Sequence, residues 1–117
     1  MNNATTTPRD PGDTALLALR AAFLSMVTEK GLDDLSLRQL AVLLTLRQAA
    51  TGVTVRRLAG YLGVHKPAIS QAMNRLVLQK LAKRKPDPAD GRSVLLEITR
   101  RGVMLADRMA EAMKSAS

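Results

Sequence analysis

The sequence predicts a mainly α-helical chain carrying one small β-hairpin. Apolar residues recur at three- and four-residue spacing through five segments, the mark of amphipathic helices. Between residues 83 and 98 that period gives way to a cluster of Pro, Asp and Gly, then to the strand-like run Ser93-Val94-Leu95-Leu96-Glu97-Ile98. Hydrophobic residues make up 46% of the 117, yet only Phe23 and Tyr61 are aromatic. The core must then be built of Leu, Val, Ile, Ala and Met, the usual material of helix packing. At this length one domain around one core is expected.

Residues 1–13 mix Thr, Asn, Pro, Gly and Asp with almost nothing apolar and read as a disordered N-terminal arm, leaving 14–117 as the single domain. From Thr14 to Lys30 a first helix places Leu16, Leu19, Phe23, Met26 and Val27 at helical spacing, with Leu17 and Leu24 widening the stripe. Asp13 or Thr14 supplies its cap and Gly31 its end. So wide an apolar surface needs more than one neighbour. Leu16, Leu19, Phe23 and Val27 are therefore expected at an interface between two copies of the chain. Ser36 caps a second helix, from Leu37 to about Ala50, with Asp33-Asp34 as its loop and Gly52 as its breaker. Thr54 caps a short third helix whose buried stripe is Val55, Leu58, Ala59 and Leu62. Gly63 ends it and opens a tight turn through Val64, the apolar plug. Lys66 to Lys80 forms a fourth helix, with Pro67 tolerated in the first turn because that N–H has no intrahelical partner. Ile69, Ala72, Met73, Leu76 and Val77 point inward; Lys66, Ser70, Gln71, Asn74 and Arg75 point outward. After the hairpin, Thr99 caps a last helix through about Ser115, whose Leu105, Met109 and Met113 join the expected interface between copies. Helices 14–34 and 100–117 thus read as dimerisation segments around a lobe at 35–99.

Charge decides the class of partner. Residues 53–101 hold eleven Lys or Arg against three acids, which is the whole formal net charge of +8; the remaining seven bases and seven acids cancel. A polyanion is indicated, nucleic acid before membrane surface. The chain has no cysteine, which excludes disulfides and thiolate chemistry. It has no apolar run of about 18 residues and no charged start followed by an apolar stretch, so neither a membrane span nor a secretory signal is expected. Cytoplasm is the simplest location. His65 is the one histidine, so no histidine-rich metal site exists. Asp87 and Asp90 share a loop without a nucleophile or apolar pocket and read as turn formers. No catalytic residue, cofactor or metal site is expected.

Helix, Gly-containing turn, helix and basic hairpin follow the order of a winged helix-turn-helix. The major groove of B-DNA is about 12 Å wide and admits one helix. The preceding helix must cross at a steep angle, which a short turn with Gly permits. Gln71 and Asn74 suit an adenine edge, while Lys66 and Arg75 suit guanine or phosphate. Lys83, Arg84 and Lys85 sit beside that helix in the hairpin.

On these residues the chain resembles the MarR family of bacterial regulators from Leu35 to Gly102. The matching stretches are LSLRQLAVLLTL, GVTVRRLAGYLGVHKPAISQAMNRL and LAKRKPDPADGRSVLLEITRRG. The resemblance implies a sequence-specific, dimeric transcription regulator of double-stranded DNA, first of all a repressor, in the bacterial cytoplasm or nucleoid. It implies phosphate contacts from Thr54 and Arg57, and major-groove contacts from Lys66, Pro67, Ala68, Ser70, Gln71 and Arg75; His65 reads as a cap of the fourth helix or a phosphate contact, and Asn74 joins the DNA-binding face by its chemistry. Arg92 would enter the minor groove, steadied by Asp90, since a narrow minor groove concentrates negative potential; Ser93 beside it is counted among the DNA-binding residues. Three departures stand out. Lys80 replaces the usual Gly after the recognition helix, which costs about 1–2 kcal/mol if it is left-handed, so the helix is expected to end one residue differently. Gly91 replaces a common Arg in the wing, and the flanking helices are short. Family members often bind small acids, so a small-molecule effector is an open possibility; Arg20, Arg38 or Arg47 would pair its carboxylate, and each is equally a plain surface charge. The rival reading is a winged-helix protein-interaction module, an antirepressor or adaptor, that does not read DNA.

Overall fold

The computed structural model describes residues 10–116. The elements run α1 (Pro11–Val27), α2 (Leu37–Gln48), β1 (Val53–Thr54), α3 (Val55–Leu62), α4 (Lys66–Leu78), β2 (Ala82–Asp87), β3 (Asp90–Ile98) and α5 (Arg100–Ala116). Five helices and a small antiparallel sheet match the predicted class. The three strands lie in the order β1-β3-β2, so β3 is central.

The chain divides into two compact units: residues up to Leu32 together with those from Asp107 onward, and Asp33–Ala106. In the second unit Val42, Leu43, Leu58, Ile69, Met73, Leu76, Leu81 and Leu96 are fully buried, one apolar stripe from each of α2, α3 and α4 closing on β3. Each such side chain contributes about 1.5–3 kcal/mol on leaving water. In the first unit Ala18, Ala22 and Met109 are buried, and Glu29 pairs with Arg108.

Several boundaries differ from the sequence reading, each for a local reason. Residues 1–9 of the expected arm lie outside the described residues, but its last residues are ordered. Asp10 accepts a hydrogen bond from the Asp13 N–H at 2.9 Å, and Pro11 stands at the first helical position, so α1 starts three residues early. It also ends early, at Val27. There the Thr28 hydroxyl donates back to the Leu24 carbonyl at 2.8 Å, and Gly31 serves as a left-handed residue (φ +76°) beyond the helix. Ser36 and Gln39 form a reciprocal capping box on α2. Strand β1 was not anticipated: its two residues pair with Leu95 and Leu96 and tie the start of α3 to the hairpin. The strands of the hairpin extend further into the Pro-rich segment than predicted, leaving only Pro88-Ala89 as the turn. Pro86 is accommodated because β2 is an edge strand.

The end of α4 is a further correction. Lys80 is left-handed (φ +64°), the one non-glycine residue with positive φ among those described. The helix does not avoid this conformation. The Leu81 N–H donates to the Leu76 carbonyl at 2.8 Å and the Lys80 N–H to Val77 at 2.9 Å, the paired closure of a Schellman motif. Leu81 and Leu76 are both fully buried, which fixes the turn in place whatever residue sits at 80. Val77, predicted inward, is 36% exposed because it falls on the edge of the stripe.

Candidate nucleic-acid interface

The turn between α3 and α4 forms as its residues dictate. Gly63 is left-handed (φ +66°), and the Val64 N–H closes on the Ala59 carbonyl at 3.1 Å. His65 occupies the N-cap of α4 without a side-chain cap; its carbonyl accepts from Ala68 and Ile69. From there α4 turns Ile69, Ala72, Met73 and Leu76 inward. His65, Lys66, Pro67, Gln71 and Asn74 are exposed, and Ala68, Ser70 and Arg75 are half-buried. The reading face is therefore open.

The remaining sequence-predicted residues divide into three groups. Thr54 caps α3, its hydroxyl accepting from the Arg57 N–H at 3.2 Å, which leaves the exposed Arg57 side chain at the helix start. At the wing tip, Asp87 accepts from the Ala89 N–H at 2.9 Å. Asp90 accepts from the Arg92 N–H and from the Ser93 hydroxyl, both at 3.0 Å. Asp90 thus steadies Arg92 through the backbone, and the guanidinium has no protein partner among the described residues.

The basic run of β2 is split by strand alternation. Arg84 turns toward α4, where its Nη2 donates to Asn74 Oδ1 at 2.8 Å and to the Ser70 carbonyl at 3.3 Å. Lys83 and Lys85 occupy the opposite face and approach Glu97 on β3, at 3.9 and 3.0 Å. The structure therefore brings Arg84 to the recognition helix and keeps Lys83 and Lys85 apart from it. Arg75 is also engaged. It pairs with Asp33 at 3.1 Å, and Gln79 donates to the same carboxylate at 3.0 Å.

Gln79 and Glu97 are not singled out by the sequence, and Asp33 reads there only as part of the loop and cap of the second helix. Glu97 carries a signal, as the lone acid of the strand-like run 93–98 in a hairpin with two lysines on the other strand. Asp33 lies 42 residues from Arg75, so no local pattern reports that contact. Among the expected residues of an interface between copies, Leu16, Leu19, Phe23 and Val27 are exposed, as is Met113. Leu105 and Met109 are corrected: both are buried within the chain, at 5% and 6%, because they lie on the inward stripe of α5. A buried side chain offers no surface to a partner. Met104, at 56%, is exposed.

Comparison with known proteins places this arrangement. Residues 33–93, just over half the chain, match the sequence profile of the MarR family. No curated protein matches the sequence. Among solved structures, RV1404 from Mycobacterium tuberculosis superposes with a TM-score of 0.70 at 24% identity, over 86% of this chain and 63% of that one. This chain thus spans less than two thirds of that relative. MepR from S. aureus, in a complex with DNA, gives a TM-score of 0.71 at 22% identity, over 82% of this chain and 75% of that one. A MarR variant from E. coli complexed with operator DNA gives 0.66 at 25%, over 86% and 66%. With a winged-helix fold and a family profile that runs from the start of the lobe into β3, the chain belongs to the MarR family.

Proposed function

We propose that the protein is a transcription regulator that binds double-stranded DNA as a homodimer, with α4 in the major groove and the β2–β3 wing in the adjacent minor groove. The observation that carries this reading is the exposed polar face of α4 beside a wing-tip arginine without a protein partner among the described residues, inside the segment that holds the entire +8 charge. Lys66, Pro67, Ala68, Ser70 and Gln71 supply the reading face. Thr54 and Arg57 meet phosphate at the start of α3, and Arg92, held by Asp90 and Ser93, enters the minor groove. Arg75 positions α4 through Asp33, and Lys83 and Lys85 add long-range attraction from the far face of the wing. The apolar side chains Leu16, Leu19, Phe23 and Val27 join two copies, giving half-sites about 34–36 Å apart, one turn of DNA. The protein is non-enzymatic and works in the bacterial cytoplasm or nucleoid; no helix among the described residues is long and apolar enough to cross a membrane.

The test is duplex binding across a salt series with the wild type and Arg92→Ala. Loss of one phosphate-region contact weakens binding and flattens the slope of log K against log salt by about 0.9. Equal affinity and equal slope for the two proteins would refute the wing assignment. Failure of the wild type to bind any duplex at low salt would favour a protein-interaction module instead.

A further inference from the structure

The contact of Arg84 with Asn74 and Ser70 crosses from the wing strand to the outer face of α4, and its chemistry limits what Asn74 can read. An asparagine side chain carries an acceptor oxygen with two lone pairs and an NH2 with two donors, whereas a guanidinium carries only donors. With Arg84 Nη2 at 2.8 Å, the atom facing it must be Oδ1, and the amide orientation is settled by that partner. The second bond of Nη2, to the Ser70 carbonyl at 3.3 Å, holds the guanidinium across one turn of α4. Asn74 itself is exposed, so its Nδ2 donors are left for an outside partner.

An adenine edge in the major groove offers N7 as acceptor and N6–H2 as donor, and asparagine reads it with Oδ1 and Nδ2 together. A guanine edge offers N7 and O6, both acceptors. We propose that Arg84, by filling one lone pair of Oδ1 and setting a positive charge beside the other, makes Asn74 read base edges through its donors, setting a preference for guanine over adenine at one position of the bound site. The inference rests on the reading of α4 as the recognition helix. The positive charge beside Oδ1 acts in the same direction, because it attracts guanine O6 and repels the adenine amino group. Gln71 is exposed and its amide has no protein partner among the described residues, so both of its ends stay available and adenine recognition falls to it. Arg84 is then a positioning residue that acts through Asn74.

The experiment is enrichment of bound duplexes from a random pool, using the full chain as wild type, Arg84→Met, Arg84→Lys and Asn74→Ala, each checked for folding by thermal melting. The wild type is expected to favour guanine over adenine about tenfold at one position per half-site, the discrimination of one good base contact. Arg84→Met releases Oδ1, so adenine rises to parity or above at that position alone. Arg84→Lys keeps a donor and a charge there and retains the guanine preference. Asn74→Ala abolishes discrimination at the same position, and it carries the test if Arg84→Met fails to fold. Base preferences in Arg84→Met identical to those of the wild type at every position would overturn the inference while leaving the regulator reading intact. An unchanged preference in Asn74→Ala would do the same. A wild type that enriches no sequence would sink the regulator reading, and this inference with it.

Discussion

Replacing Gly102 by alanine tests how the wing is joined to the last helix. A β-carbon built there falls 2.6 Å from Ile98 Cγ1 and nearer still to the carbonyl oxygen of Leu81. Carbon–carbon contacts ordinarily settle at about 3.5–4.0 Å, so the start of α5 must retreat by about 1 Å. The Leu81 oxygen also accepts the Thr99 N–H at 3.0 Å, and the Thr99 hydroxyl donates to the Lys80 carbonyl at 2.7 Å. The retreat sacrifices both bonds, at about 1 kcal/mol each. Overpacking against backbone adds about 1–3 kcal/mol. The better helix propensity of alanine returns about 1 kcal/mol. The net loss is about 2–4 kcal/mol. For a unit of this size that lowers Tm by at least about 10 °C. Thermal unfolding followed by circular dichroism at fixed protein concentration reads it. A shift below about 2 °C would show that α5 does not seat on Leu81 and would refute the reasoning.

Other changes follow from the same coordinates. Lys80→Gly relieves the left-handed φ of +64°, and against the entropy of a freer unfolded chain the balance is a gain of about 0.5–1 kcal/mol, read as a higher Tm. Gly60 lies inside α3 with nothing within 4 Å of a β-carbon, so Gly60→Ala is expected to stabilise by about 0.5–1 kcal/mol, the opposite sign to Gly102→Ala in the same melting assay. Phe23→Asp places a charge on the exposed apolar side of α1; if that side joins two copies, sedimentation shows dissociation to monomer at concentrations where the wild type is dimeric, and unchanged self-association would move the interface elsewhere.

Much of the lobe was legible along the chain because its signals are local. Gly63 at the end of α3, Pro67 in the first turn of α4, the Ser36 cap and the stripe Ile69, Ala72, Met73 and Leu76 each act within one or two helical turns. The exposed reading face follows as the complement of that stripe. Composition and periodicity were less able to place α1, whose cap at Asp10 sat inside a polar stretch, or to find β1, two residues long and paired with partners some forty positions away.

What the sequence determined by itself was the order of elements, the face α4 buries and the segment that concentrates positive charge, since these depend on neighbours within a few residues. Only the tertiary structure decided which of those charges are free. Arg84 is held by Asn74, Arg75 by Asp33, Lys83 and Lys85 approach Glu97, and Arg92 is left open at the wing tip. The physical reason is reach. A side-chain ion pair or hydrogen bond forms at about 3 Å, and which groups come that close is set by strand register and helix packing, not by distance along the chain.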